Sequence, residues 1–79
     1  HKHEVLREYE AAMARFGSFQ SKAECFLWAV AAGERELAGR LQIELQKTTD
    51  RWNRHTRQLN ADLLRRLNAG YAMIRQSAT

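Results

Sequence analysis

The apolar residues of this chain recur at intervals of three and four, the spacing of one face of an α-helix. Leu6, Tyr9, Met13 and Phe16 form the first such row, with Glu4, Arg7, Glu8, Glu10 and Arg15 on the remaining surface. That predicts a helix over about 2–16, and Gly17-Ser18 offers a break after it. Ser21-Lys22-Ala23-Glu24 has the form of a capping box, in which the serine oxygen accepts from an unpaired amide and the glutamate reaches back. It opens the most apolar stretch, Cys25 to Ala32, whose stripe is Ala23, Leu27 and Val30. A helix over about 21–32 follows, ended by Gly33.

The third segment, about 34–76, carries Gly39 and Gly70 but no strong stop. Wound at 100° per residue, Leu37, Leu41, Leu45, Thr48, Trp52, His55, Leu59, Leu63, Leu67 and Ile74 fall within about 120° of arc. As one helix this segment would be about 64 Å long, too long to bury its seam on two short helices. It therefore bends near Thr48–His55, or part of the seam meets another chain. Trp52, Leu59, Leu63 and Leu67 are the expected partner-facing part.

A second register runs across the first two segments. Leu6, Tyr9, Met13, Phe16, Gln20, Ala23, Leu27, Val30, Glu34, Leu37 and Leu41 share one a/d heptad phase that does not slip at Gly17 or Gly33. The two N-terminal helices could thus be fused. Cys25 would then point outward, where it could cross-link two chains; the alternative is a small buried hydrophobe. Either way the fold class is all-α: a small helical bundle or hairpin with coiled-coil-like packing, two shorter N-terminal helices and one long C-terminal helix. All 79 residues form one domain, or a fragment of a larger protein.

Composition supports this reading. The chain has no proline, where average usage near 5% predicts about four. It lacks strand alternation bounded by turn signals and Asn-Gly or Asp-Gly hairpin signals. At this length a single core is thin, and small domains often lean on oligomerisation, metals or disulfides. One cysteine excludes an intramolecular disulfide framework and makes a reducing, intracellular, cytoplasmic setting the default. No apolar run approaches the roughly 20 residues that span a bilayer.

Charge changes the picture in the C-terminal half. Residues 1–45 carry six basic and seven acidic side chains, whereas residues 46–79 carry seven basic and two acidic. On a continuous helix Arg40, Lys47, Arg51, Arg54 and Arg65 lie within about 60° of one another. Such a stripe is a solvated face, or it follows a phosphate backbone, an anionic membrane or an acidic partner helix. Glu36, Glu44 and Asp62 border and dilute it. Single-strand binders usually set aromatic platforms among the basic groups, but within the span of the stripe, 40–65, the only aromatic is Trp52, which lies on the apolar seam.

Motifs for chemistry are absent. There is no zinc spacing, no nucleophile–His–acid set, no glycine-rich phosphate loop and no H-E-x-x-H. No cofactor and no catalytic or metal residues are expected. His1-Lys2-His3 would bind copper(II) or nickel(II) only if His1 were the natural first residue. His55 on the seam is a pH-sensitive or register-setting position if buried, and an ordinary edge histidine if not. Phe16, Phe19, Phe26 and Trp28 cluster mid-chain, as a core where segments meet or as an aromatic docking patch. The expected function is a non-catalytic helical interaction module that associates with protein, its own copies first. A basic nucleic-acid binder and a membrane-surface module are the alternatives.

Overall fold

The computed structural model describes Glu4, Arg7, Glu8, Ala11 and residues 19–77. Four helices form within 19–77: α1 Phe19–Ala32, α2 Arg35–Asp50, α3 Arg54–Leu59 and α4 Ala61–Ser77. The described residues contain no strand, so the fold is all-α. Glu4, Arg7, Glu8 and Ala11 lie in helical backbone and are exposed. The rest of the expected 2–16 helix, the break at Gly17, Phe16 and His1-Lys2-His3 lie outside the described residues.

Gly33 ends α1 as its sequence predicts. Its φ is +75°, a left-handed conformation that costs an L side chain about 1–2 kcal/mol. The Gly33 amide donates to the Val30 carbonyl at 3.2 Å and the Glu34 amide to Ala29 at 2.9 Å. Together these are a Schellman cap. The heptad register therefore does not continue through Gly33, and α1 and α2 fold into a hairpin instead of one rod. At its other end α1 starts two residues before Ser21, so the serine sits inside the first turn and is not the N-cap. Glu24 instead reaches Arg66 of α4 across 3.3 Å.

The long C-terminal helix is cut twice. After Asp50 the Arg51 and Trp52 amides donate to the Thr48 and Thr49 carbonyls, each at 3.1 Å, which tightens the last turn of α2. Asn53 is extended, and its side-chain oxygen accepts from the Thr56 amide at 2.9 Å. It is an N-cap within the expected helix. Arg57 then closes back over the corner. Its Nη2 donates to the Thr49 carbonyl at 2.7 Å and its Nε to Trp52 at 3.4 Å. Thr49 lies in the last turn of α2 and Trp52 just beyond it, at the carbonyl end of the helix, which favours a cation. Asn60 ends α3, its Nδ2 donating to the Thr56 carbonyl at 2.9 Å. The Asn60 carbonyl accepts from the Leu64 amide at 2.9 Å, which opens α4.

The hairpin of α1 and α2 receives α4 across both helices. The core holds Phe26, Leu45, Leu67 and Cys25 with no exposure, joined by Leu37, Leu41, Tyr71 and buried alanines. On α2 the expected face is present, but its fourth member is Thr49; Thr48 is exposed. On α1 the buried residues are Ala23, Cys25, Phe26 and Ala29. Of the predicted stripe Ala23 is buried, while Leu27 and Val30 are half-buried at the core's margin, so the buried face is turned towards Cys25, Phe26 and Ala29. Cys25 is consequently sealed in the core, not outward. No helix among the described residues is long and apolar enough to cross a membrane.

Candidate docking groove

Breaking the C-terminal segment redistributes its seam. Leu67 is fully buried and Leu63 half-buried against the core. Trp52 is half-buried, while His55 is exposed on α3. Leu59 is 72% exposed at the end of α3. The four residues expected to face a partner therefore divide: Leu67 belongs to the core, Leu63 to its margin, and Trp52 and Leu59 to the surface. The exposure of His55 also removes it as a buried pH-sensitive position.

Trp52 and Leu59 line one open groove of 580 Å³, together with Phe19, Leu63 and the polar groups around them. Three elements meet there: the start of α1, the α2–α3 corner and the α3–α4 corner. The Phe19 and Trp52 ring centroids are 4.7 Å apart with planes tilted by 57°, a favourable arrangement of two quadrupoles. Trp52 is held by the corner that Asn53 and Arg57 build. Leu59 is the last residue of α3 and has no core beneath it, because Asn60 turns the chain into α4 immediately afterwards.

The groove carries both signs of charge. Glu24 and Arg66 pair at 3.3 Å, and both line it. Asp62 also lines it and pairs with Arg65 one turn along α4. Gln20, Gln58 and Asn60 add amides. The groove's lining thus combines two carboxylates, one guanidinium and three amides with its apolar side chains. No group of three or more His, Cys, Asp or Glu among the described residues is placed to hold a metal ion.

No protein-family model, curated protein or solved structure matches the chain. The site therefore rests on its own geometry.

The other sequence-predicted groups fare unevenly. Of the aromatic patch, Phe19 lines the groove, Phe26 is core and Trp28 is half-buried against the core. The Phe26 and Tyr71 rings meet at a tilt of 60°, with centroids 5.1 Å apart. Arg40, Lys47, Arg51, Arg54 and Arg65 are all exposed. They do not form one stripe, because they are shared among α2, the corner after it, α3 and α4. Lys47, Arg51 and Arg54 stay close in sequence around the α2–α3 corner, with Asp50 among them.

Three residues of consequence escaped the sequence reading. Arg57 caps α2, and only the helical wheel's assumption of continuity hid it. Arg66 ties α4 to α1. Tyr71 is 6% exposed and its hydroxyl finds no hydrogen-bond partner among the described residues. Burial raises its pKa above the ordinary tyrosine value, and the charge of Asp50 adds to the rise. A second, smaller cleft of 180 Å³ lies between the Gly33 turn and the end of α4, edged by Ala38, Ile74 and the exposed Met73.

Proposed function

We propose that this chain is a non-catalytic helical module for protein–protein association, with its contact surface at the groove of Phe19, Trp52, Leu59 and Leu63. The single observation that carries the reading is the position of Leu59: a large aliphatic side chain, mostly in water, beside a groove walled by an aromatic pair. Aromatic anchors beside a large aliphatic side chain, set among polar groups, are the residues that concentrate binding energy at interfaces. The seam expected along the whole C-terminal segment contracts in this reading to a local patch. The test is solution mass by size-exclusion chromatography with light scattering, at low and high salt and over a range of concentrations. A mass above that of one chain, retained at high salt, is the expected result, since apolar contacts are not screened.

A basic nucleic-acid binder is the second reading, favoured by the exposure of Lys47, Arg51 and Arg54 at one corner. Affinity would then fall steeply with salt. Lack of RNA or DNA retention at low salt removes it.

A further inference from the structure

We infer that the outward face of α2 pairs with the same face of a second copy of this chain, the two helices running antiparallel about a two-fold axis so that Arg35 of each lies beside Asp50 of the other. This surface is separate from the groove, and the pairing goes beyond the association reading above.

Between Arg35 and Asp50 the helix is unbroken, so its wheel keeps phase. Two rows at four-residue spacing lie side by side on the face turned away from the core: Arg35, Gly39 and Ile43, and beside them Gln42, Gln46 and Asp50. At 100° per residue all six fall within about 100° of arc. Ile43, 58% exposed, is the large apolar side chain that α2 gives to solvent. A Cβ added at Gly39 would meet nothing within 4 Å, so the face has a gap there.

Charge selects the occupant and its direction. Arg35 opens α2 and Asp50 closes it. Each carries the sign that its own end of a helix disfavours, and neither has an ion-pair partner among the described residues. A two-fold interface uses the same patch on both subunits. Laid antiparallel on a second copy, one row meets the other row read backwards. Arg35 then faces Asp50, Gly39 faces Gln46, whose amide fills the gap, and Ile43 faces Gln42 next to the axis. Each disfavoured charge comes to lie at the end of the other copy's helix that suits it. Glu36 and Lys47 border the face, and the same reversal sets Glu36 of one copy near Lys47 of the other. A parallel pair would set Arg35 against Arg35. A polyanion would meet Asp50 and Glu36, and a uniformly basic partner would meet Arg35.

The experiment is a charge exchange on the 79-residue chain, read by sedimentation equilibrium and light-scattering mass. Concentrations run from micromolar to millimolar, because one helix pair lies at the small end of specific interfaces. Arg35→Glu and Asp50→Arg are made singly and together, each with and without Leu59→Asp, which silences the groove. Circular dichroism checks that every variant keeps its helix content. The native chain should dimerise through α2, and Leu59→Asp should leave that dimer in place. Each single charge variant should dimerise about tenfold or more weakly, since symmetry turns one substitution into two like-charge contacts. The double variant should recover the dimer. So should a one-to-one mixture of the two single variants, in which both contacts are again between opposite charges. Ile43→Asp should dissociate the dimer as well. Weakening without recovery in the mixture would overturn the antiparallel arrangement. A dimer indifferent to the charge exchange and lost with Leu59→Asp belongs to the groove; it would overturn the inference and keep the association reading. A native chain that stays monomeric at every concentration overturns the inference too.

Discussion

Gly70 of α4 lies directly against the ring of Phe26 on α1: a Cβ added at position 70 would stand 2.7 Å from Cε2 and 3.2 Å from Cζ. Phe26 is fully buried and packed edge-on against Tyr71, so its ring has little room to retreat. The missing side chain sets how closely α4 approaches α1. Gly70→Ala should therefore lower stability, although alanine is the better helix former by about 1 kcal/mol. Overpacking costs of about 1–3 kcal/mol outweigh that gain, and urea unfolding monitored by circular dichroism measures the balance. Gly39, where an added Cβ meets nothing within 4 Å, is the control; Gly39→Ala should stabilise.

Leu59 and Leu67 are both leucines of the expected seam, with opposite environments. Leu59→Asp should change stability by only about 0.5 kcal/mol, as exposed substitutions do. Leu67→Ala removes a fully buried side chain and should cost about 2–5 kcal/mol. Parallel thermal melts of the two variants check the contrast.

The Tyr71 hydroxyl is buried without a partner among the described residues. Tyr71→Phe deletes that group and keeps the ring on Phe26. It should leave stability unchanged or raise it by up to about 1 kcal/mol. The same residue predicts an alkaline effect. Its folded pKa is raised, chiefly by burial. Below the ordinary value of 10.0 both states hold the proton and the group adds no pH dependence. Above it the unfolded chain loses the proton first, so stability falls as pH rises towards the folded value. Denaturant midpoints measured across that range should fall further for the native chain than for Tyr71→Phe.

Arg57 and Asn53 hold the corner that presents Trp52. Arg57→Ala removes the charge-assisted bond to the Thr49 carbonyl, which keeps the Trp52 amide, and should cost about 1 kcal/mol; Asn53→Ala should cost a similar amount through the lost cap, about 1 kcal/mol. Both should also weaken association, because Trp52 loses its support. Unfolding midpoints and solution mass on the same samples separate the two effects.

Arg51 and Arg54 are exposed at the basic corner. Reversing both to Glu should preserve helix content by circular dichroism. It should leave any self-association intact and abolish whatever retention on RNA or heparin the native chain has at low salt.

Much of this architecture was legible along the chain. Three-four periodicity and the absence of proline establish the all-α class. Gly33 marks the end of α1 because only glycine takes that backbone angle without strain. Leu37, Leu41 and Leu45 form one buried face as their spacing predicts. These features are local: a backbone conformation, or side chains within two turns of one helix, decides them.

The remainder is not local. A helical wheel carries phase only while the helix is unbroken. Asn53 and Asn60 each reset it, so residues on one arc before the break need not share a face after it. Asn53 wins over continuation of the helix because its side chain satisfies the Thr56 amide while Arg57 adds a charged donor to the Thr49 carbonyl, and Arg57 can do so only once the corner has formed. The face of α1 is likewise settled by what packs on it: α2 and α4 approach from two sides, and Phe26 and Cys25 turn fully inward while Leu27 and Val30 pack half-buried at the core's edge. By itself, then, the sequence determined that the chain is helical, where its first hairpin turns and which face of α2 is apolar. Only the tertiary structure decided that Leu67 would be core while Leu59 stood in water beside Trp52, because burial depends on which surfaces meet, and residues on one arc of a wheel do not record that.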